Sequence, residues 1–190
     1  MNKNHILSTS LVIILLMAAT TNNAKAHSFK VGFLVPLTGE NVSQGRDAFD
    51  AVLLAADERD RHPDNHADGH LGGLDGYVLK IDTNRDKQEV LKDISQMVKS
   101  DDIQFLTGLI PSKISYLVVQ QLQNTTTHFI DTPIKDITEM TTMSGEGFTI
   151  SFNRRYGRSP SLSARKGYRI ARDLDQIVRK IAGNFLTTAT

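Results

Sequence analysis

The chain has 190 residues, of which 39% are hydrophobic and 23% charged, with a formal net charge of +1 and no cysteine. The lack of cysteine excludes a disulfide framework and thiol chemistry, and near-neutrality offers no electrostatic footprint for nucleic acid. Lys3, an apolar run over residues 11–19 and then Ala24-Lys25-Ala26 make the pattern of a secretory leader cut after Ala26. The apolar run is about nine residues, whereas a bilayer span takes about 20.

Residues 1–26 are therefore set apart from the fold. They hold two basic residues, Lys3 and Lys25, and no acid. The remaining 164 residues (190 less 26) carry 20 Lys+Arg (22 less 2) against 21 Asp+Glu, a net charge of −1. That length suits one domain, which buries about 70% of its unfolded surface.

Residues 31–35 are an unbroken apolar run ended by Pro36, as expected of a strand buried on both faces. A loop over 37–44 leads into Phe49, Val52, Leu53 and Ala56, which recur at i, i+3, i+4 and i+7 and predict a helix. Asp47, Asp50 and Asp57 lie off most of that face. Residues 60–76 are polar and broken by Pro63, Gly69, Gly72, Gly73 and Gly76, so they read as a loop. A short strand is predicted over 77–81. A second helix starts at Asp86, with Val90, Leu91, Ile94, Met97 and Val98 on one face, and a third strand spans 103–110. Pro111-Ser112 opens a third helix striped by Ile114, Leu117, Val118 and Leu122, with Ser112 a good N-cap type. Residues 127–130 read as a fourth strand.

Past Thr132, residues 148–152 alternate and include β-branched Thr and Ile, which predicts a strand. Phe148, Phe152 and Tyr156 also have the spacing of a helix face. Ile170, Leu174, Ile177, Val178 and Ile181 mark a closing helix over about 161–182, stopped at Gly183 and followed by a tail over 184–190.

Alternation of this kind predicts a parallel sheet of four to five strands with helices on both faces and right-handed crossovers. In such sheets ligands bind past the carboxyl ends of the strands, where first-turn N–H groups of helices are free. The loops there are 37–39, 82–85, 111–113 and 131–132, and they supply the candidate ligand-binding residues Thr38, Ser112, Lys113, Asp131 and Thr132.

The residues also carry a family likeness. Residues 29–39, Phe-Lys-Val-Gly-Phe-Leu-Val-Pro-Leu-Thr-Gly, resemble the first strand and loop of type I periplasmic binding proteins of the leucine/isoleucine/valine-binding kind, and Gly45 with the helix over 48–56 continues the match. Leu71-Gly72-Gly73-Leu74-Asp75-Gly76 is similar to the family's glycine turn before its second strand. Phe105-Leu106-Thr107-Gly108 with Pro111-Ser112 is similar to its third strand and ligand loop. Residues 155–161 and 167–172 resemble its closing segment. The likeness covers residues 29 to about 137, then 155 to about 182. Family members have two lobes, and this chain passes from first-lobe segments to closing segments, so the resemblance implies a single lobe over 27–183. It also implies that Ser112 takes the place of the family's carboxylate-binding serine. Asp131-Thr132-Pro133 departs from the small and hydroxyl residues usual after the fourth strand, and Gln44 stands where amino-acid binders often have an aromatic residue.

Two further clusters carry chemistry. His62, His66 and His70, with Asp64 and Asp68 between them, are a donor set for zinc or copper. Pro63, Asn65 and Gly69 keep the three imidazoles off a shared helix face, and a solvated polar loop is the alternative. Arg154, Arg155, Arg158, Arg165, Lys166, Arg169 and Arg172 form a basic run, read as a solvated helix face or a surface for an acidic partner. No nucleophile–base–acid set and no phosphate-binding glycine loop can be assembled, so neither an enzyme nor a cofactor is expected. The expectation is a Rossmann-like, exported, periplasmic binding lobe. It captures a small polar, amino-acid-like ligand for an ABC transporter, with its membrane permease, or for a sensor. The alternative is an accessory module whose exposed cleft face binds a periplasmic protein or a second copy.

Overall fold

The computed structural model describes residues 28–59, 70–131 and 137–187. The leader, with its expected cut after Ala26, lies outside them, as do His62, His66 and Thr132. The elements in chain order are β1 (Ser28–Val35), α1 (Val42–Asp57), β2 (His70–Leu71), β3 (Leu74–Asp82), α2 (Lys87–Ser100), β4 (Phe105–Gly108), α3 (Ser112–Leu122), β5 (His128–Phe129), α4 (Ile137–Tyr156) and α5 (Leu162–Thr187). They build one five-stranded sheet in the order β2-β3-β1-β4-β5, parallel throughout except for β2. This is the expected α/β architecture.

β1 shows why its sequence lacks alternation. Phe29, Val31, Phe33 and Val35 face one layer, packing with Ala48, Val52, Ala55 and Ala56 of α1 and Ile170, Ala171, Leu174 and Val178 of α5. Leu34 faces the other layer, where Val90 and Ile94 of α2 and Ile114, Val118 and Leu122 of α3 close over Ile81 and Leu106. A central strand covered on both sides needs apolar residues at every position.

The buried face of α1 is rotated from the expected one. Ala48, Ala51 and Ala55 are fully buried, while Phe49 and Leu53 are half-buried. The cause is the approach of α5: a Cβ on Gly167 would stand 2.1 Å from the Ala48 carbonyl oxygen. Only small side chains fit between backbones this close.

Four expectations are corrected. Residues 148–152 are helix within α4, not strand. Phe148, Phe152 and Tyr156 form a ladder of rings with centroids 5.5 and 4.8 Å apart, and Phe148 meets Tyr168 of α5 at 4.4 Å. The ladder buries Phe148 and Phe152 against Ala51 and Leu54 of α1; that packing outweighs the weak strand preference of Thr149 and Ile150. The 60–76 stretch is not loop to its end, because His70–Leu71 pairs antiparallel with Leu74-Asp75. Gly72 (φ 66°) and Gly73 (φ 82°) make the intervening two-residue turn, which needs both residues left-handed, as in a type I′ hairpin. At α3 the N-cap position is Pro111, and Ser112 is the first helical residue. In addition, α5 runs through Gly183 to Thr187.

Much of the basic run is tied down inside the molecule. Arg158 Nε donates to Asp47 Oδ1 at 2.9 Å and its Nη2 to Asp50 Oδ2 at 2.5 Å. The guanidinium also lies over the rings of Phe152 and Tyr156. Arg155 pairs with Asp57. These contacts fasten the end of α4 to the outer face of α1. At the opposite edge of the sheet, Asp175 of α5 accepts from the Gly72 N–H at 2.7 Å and from Arg179 through both nitrogens at 3.1 and 3.0 Å. Arg59 stands 3.5 Å away.

Candidate functional site

After β1 the chain moves outward to β3, and later it crosses to β4 and β5 on the other side. The loops leaving β1 and β4 therefore diverge, and such a switch point is where open parallel sheets form a ligand crevice.

Backbone contacts set the two loops. Gly108, the last residue of β4, has φ 136°, and a Cβ there would stand 2.1 Å from the Leu34 carbonyl oxygen. Both conformation and space demand glycine. The Leu109 N–H donates to that same Leu34 oxygen at 2.7 Å, so the exit of β4 is held against β1. The β1 loop is held from its other side by Asp82, at the end of β3. The Asp82 carboxylate accepts from Leu37 N–H (2.8 Å), Thr38 Oγ1 (2.7 Å) and Asn84 N–H (3.0 Å). Asn84 Nδ2 donates back to the Thr38 carbonyl at 3.0 Å. Burial pushes the Asp82 carboxyl up, but the two amides and the hydroxyl outweigh it and hold it below the usual aspartate value.

The helix starts at this edge differ. α2 is capped, with Asp86 Oδ1 accepting from Gln88 N–H at 2.8 Å, and α5 has Ser161 Oγ accepting from Ala164 N–H at 3.2 Å. α1 and α3, the two helices that follow the switch-point strands, start without a side-chain cap. Their first-turn amides present partial positive charge to the crevice.

Thr38 thus lies at the site, with its hydroxyl proton committed to Asp82 and its oxygen still able to accept. Ser112 and Lys113 are the first two residues of α3. Asp131 is exposed and directly follows β5 and Ile130. The Ile130 carbonyl accepts from Thr107 Oγ1 at 2.8 Å, which sets Asp131 beside the end of β4. Asp82 opens the 82–85 loop, which the sequence already sends to this edge. Sequence reasoning missed one participant, Lys166 on α5, half-buried, one turn before the buried Ile170 on the same stripe. Ile170 belongs to the cluster that Leu109 packs against, so Lys166 stands at the sheet's carboxyl edge. Burial pulls its ammonium below the usual lysine value, opposed by the charge of Asp131. Among the described residues no carboxylate lies within 4 Å of it. The four-residue spacing to Ile170 was the available signal.

His70 sits in β2 with Nε2 2.6 Å from Asp75 Oδ1 across the hairpin, and among the described residues there is no group of three metal-ligating side chains. A cavity of about 320 Å³ runs between β3 and α2, lined by Leu37, Asp82, Arg85, Asp93, Met97 and their neighbours. Its Arg85 is already paired with Glu89 and Asp93.

No family model matches the sequence, and no curated protein matches it. Solved structures similar to this one are ABC-transporter solute-binding proteins. The branched-chain amino acid transporter substrate binding protein LivJ from Streptococcus pneumoniae, in complex with isoleucine, is 19% identical with a TM-score of 0.43, over 55% of this chain and 28% of that one. A putative branched-chain amino acid ABC transporter protein from Rhodospirillum rubrum is 18% identical with a TM-score of 0.45, over 78% of this chain and 47% of that one. A solute binding protein from R. palustris, in complex with 4-hydroxybenzoate, is 13% identical with a TM-score of 0.47, over 78% and 44%. The chain thus spans less than half the length of these proteins. Among the described residues no helix is long and apolar enough to cross a membrane.

Proposed function

We propose that this chain is an exported, single-lobe solute-binding protein. It holds a small polar, amino-acid-like ligand at the switch point above Thr38, Ser112, Lys113, Asp131 and Thr132, for a transporter permease or a sensor. It does no covalent chemistry. The observation that carries this reading is Lys166. A cation drawn partly out of water, with no carboxylate within 4 Å among the described residues, costs free energy, and an anionic ligand group in the crevice would offset that cost. The uncapped starts of α1 and α3 favour the same charge.

One face cannot enclose a ligand, and tight pockets bury about 70–90% of one. Binding by the lobe alone is therefore weak, at about millimolar affinity or −4 kcal/mol. The test is calorimetric titration with leucine, isoleucine, valine and aromatic acids of wild type, Ser112→Ala and Lys166→Met. Lys166→Met should weaken binding while raising stability by about 0.5–1 kcal/mol, since it removes a desolvated charge. Anion binding unaffected by that change would remove the reading's main support.

A second reading has its own observation. Val42 and Leu162, at the starts of α1 and α5 on this same edge, are 45% and 50% exposed. A periplasmic partner covering the crevice would bury both, and a pull-down from periplasm with wild type and Val42→Asp/Leu162→Asp tests it.

A further inference from the structure

We infer that the outer face of α3, with the loop that follows it, is where a second copy of this chain docks. Residues 114–127 include no charged side chain, in a chain of which 23% is charged. The inner stripe of α3 is occupied, since Ile114, Val118 and Leu122 belong to the core. The outer stripe carries Tyr116 and Val119, 68% and 42% exposed, with Gln120, Gln123, Asn124 and Thr126 also exposed. Gln120 Nε2 donates to the Tyr116 hydroxyl at 2.7 Å, which holds ring and amide side by side on the surface. Next to this face the sheet ends at β5, which pairs with β4 alone among the described strands.

The chemistry selects the occupant. A face depleted of charge and bearing an exposed aromatic has the composition of an interface centre. A charged partner would lose hydration there and find no counter-charge. A copy of the same face meets no like-charge repulsion. Its amides and hydroxyls are donors and acceptors at once, so they satisfy one another across a two-fold axis. The neighbouring helix cannot serve: α2 exposes Lys87, Glu89, Lys92 and Lys99, charges that would have to find their complements in register. The strip is small. Eleven residues of α3 make a helix about 16 Å long, short of the roughly 800 Å² per partner of a standard interface, so the pairing is weak and reversible.

Sedimentation velocity of the exported chain, from about 10 μM to about 1 mM, tests this. Wild type should shift from monomer toward dimer across that range. Val119→Lys and Gln120→Glu, both on exposed positions outside the core, should each weaken association at least about tenfold, with circular dichroism and melting temperature unchanged. A monomer throughout the range overturns the inference, as does a dimer that both substitutions leave intact.

Discussion

Replacing Asp82 by alanine removes the acceptor on which Leu37 N–H, Thr38 Oγ1 and Asn84 N–H converge at 2.8, 2.7 and 3.0 Å. Hydrogen bonds to a charged group contribute about 1.5–3 kcal/mol each when removed singly. They are not additive, and relief of the carboxylate's own desolvation offsets part of the loss. A net destabilisation of about 2–3 kcal/mol is therefore expected. Asp82→Asn keeps the shape and an oxygen for the two amides, but loses the charge and puts an NH2 donor opposite the Thr38 hydroxyl, which can turn to accept from it, for about 1 kcal/mol. Urea unfolding followed by circular dichroism at pH 7 measures both, with an unchanged denaturant slope. The folded carboxyl titrates below its unfolded value, so its stabilising effect is complete above the unfolded value of about 3.9 and disappears as pH falls through the lower folded one. The gap between wild type and Asp82→Asn should stay level from pH 5 to about 8 and close below about pH 4. An alanine variant within about 0.5 kcal/mol of wild type, or a gap that widens on acidification, would refute this account of how the β1 loop is held.

The opposite edge and the helix layer give two more tests. Asp175→Ala should cost about 2–3 kcal/mol by leaving the Gly72 amide, Arg179 and Arg59 without their acceptor, with faster hydrogen exchange at the Gly72 amide as a local readout. Burial raises the Asp175 carboxyl, and Arg179 with the Gly72 amide brings it below the usual value. Its contribution, too, is present above the unfolded value and lost on acidification through the folded one. Gly167→Val would drive a side chain into the Ala48 carbonyl and should lower stability by about 2–3 kcal/mol, with Gly167→Ala somewhat milder; an unchanged melting temperature would mean that α1 and α5 do not pack this closely.

The alternation of strands and helices, the sheet and the layer arrangement were legible because both faces of β1 and β4 are buried. Burial on two sides leaves an apolar run that no register change can disguise. The loops that carry Thr38, Ser112 and Asp131 were legible for a related reason, since topology alone sends the carboxyl end of every parallel strand to one edge. The tertiary structure decided what the local pattern left open. Residues 148–152 satisfy strand alternation as well as helical spacing, and the choice fell to α1 and α5, whose Leu54 and Tyr168 receive the rings of Phe148 and Phe152. Arg158 and Lys166 belong to one basic run, yet the first is spent on Asp47 and Asp50 and the second is half-buried within reach of the Asp131 charge. A charge's role depends on what stands opposite it. The partners of Arg158 lie more than a hundred residues away along the chain, a separation that only folding removes.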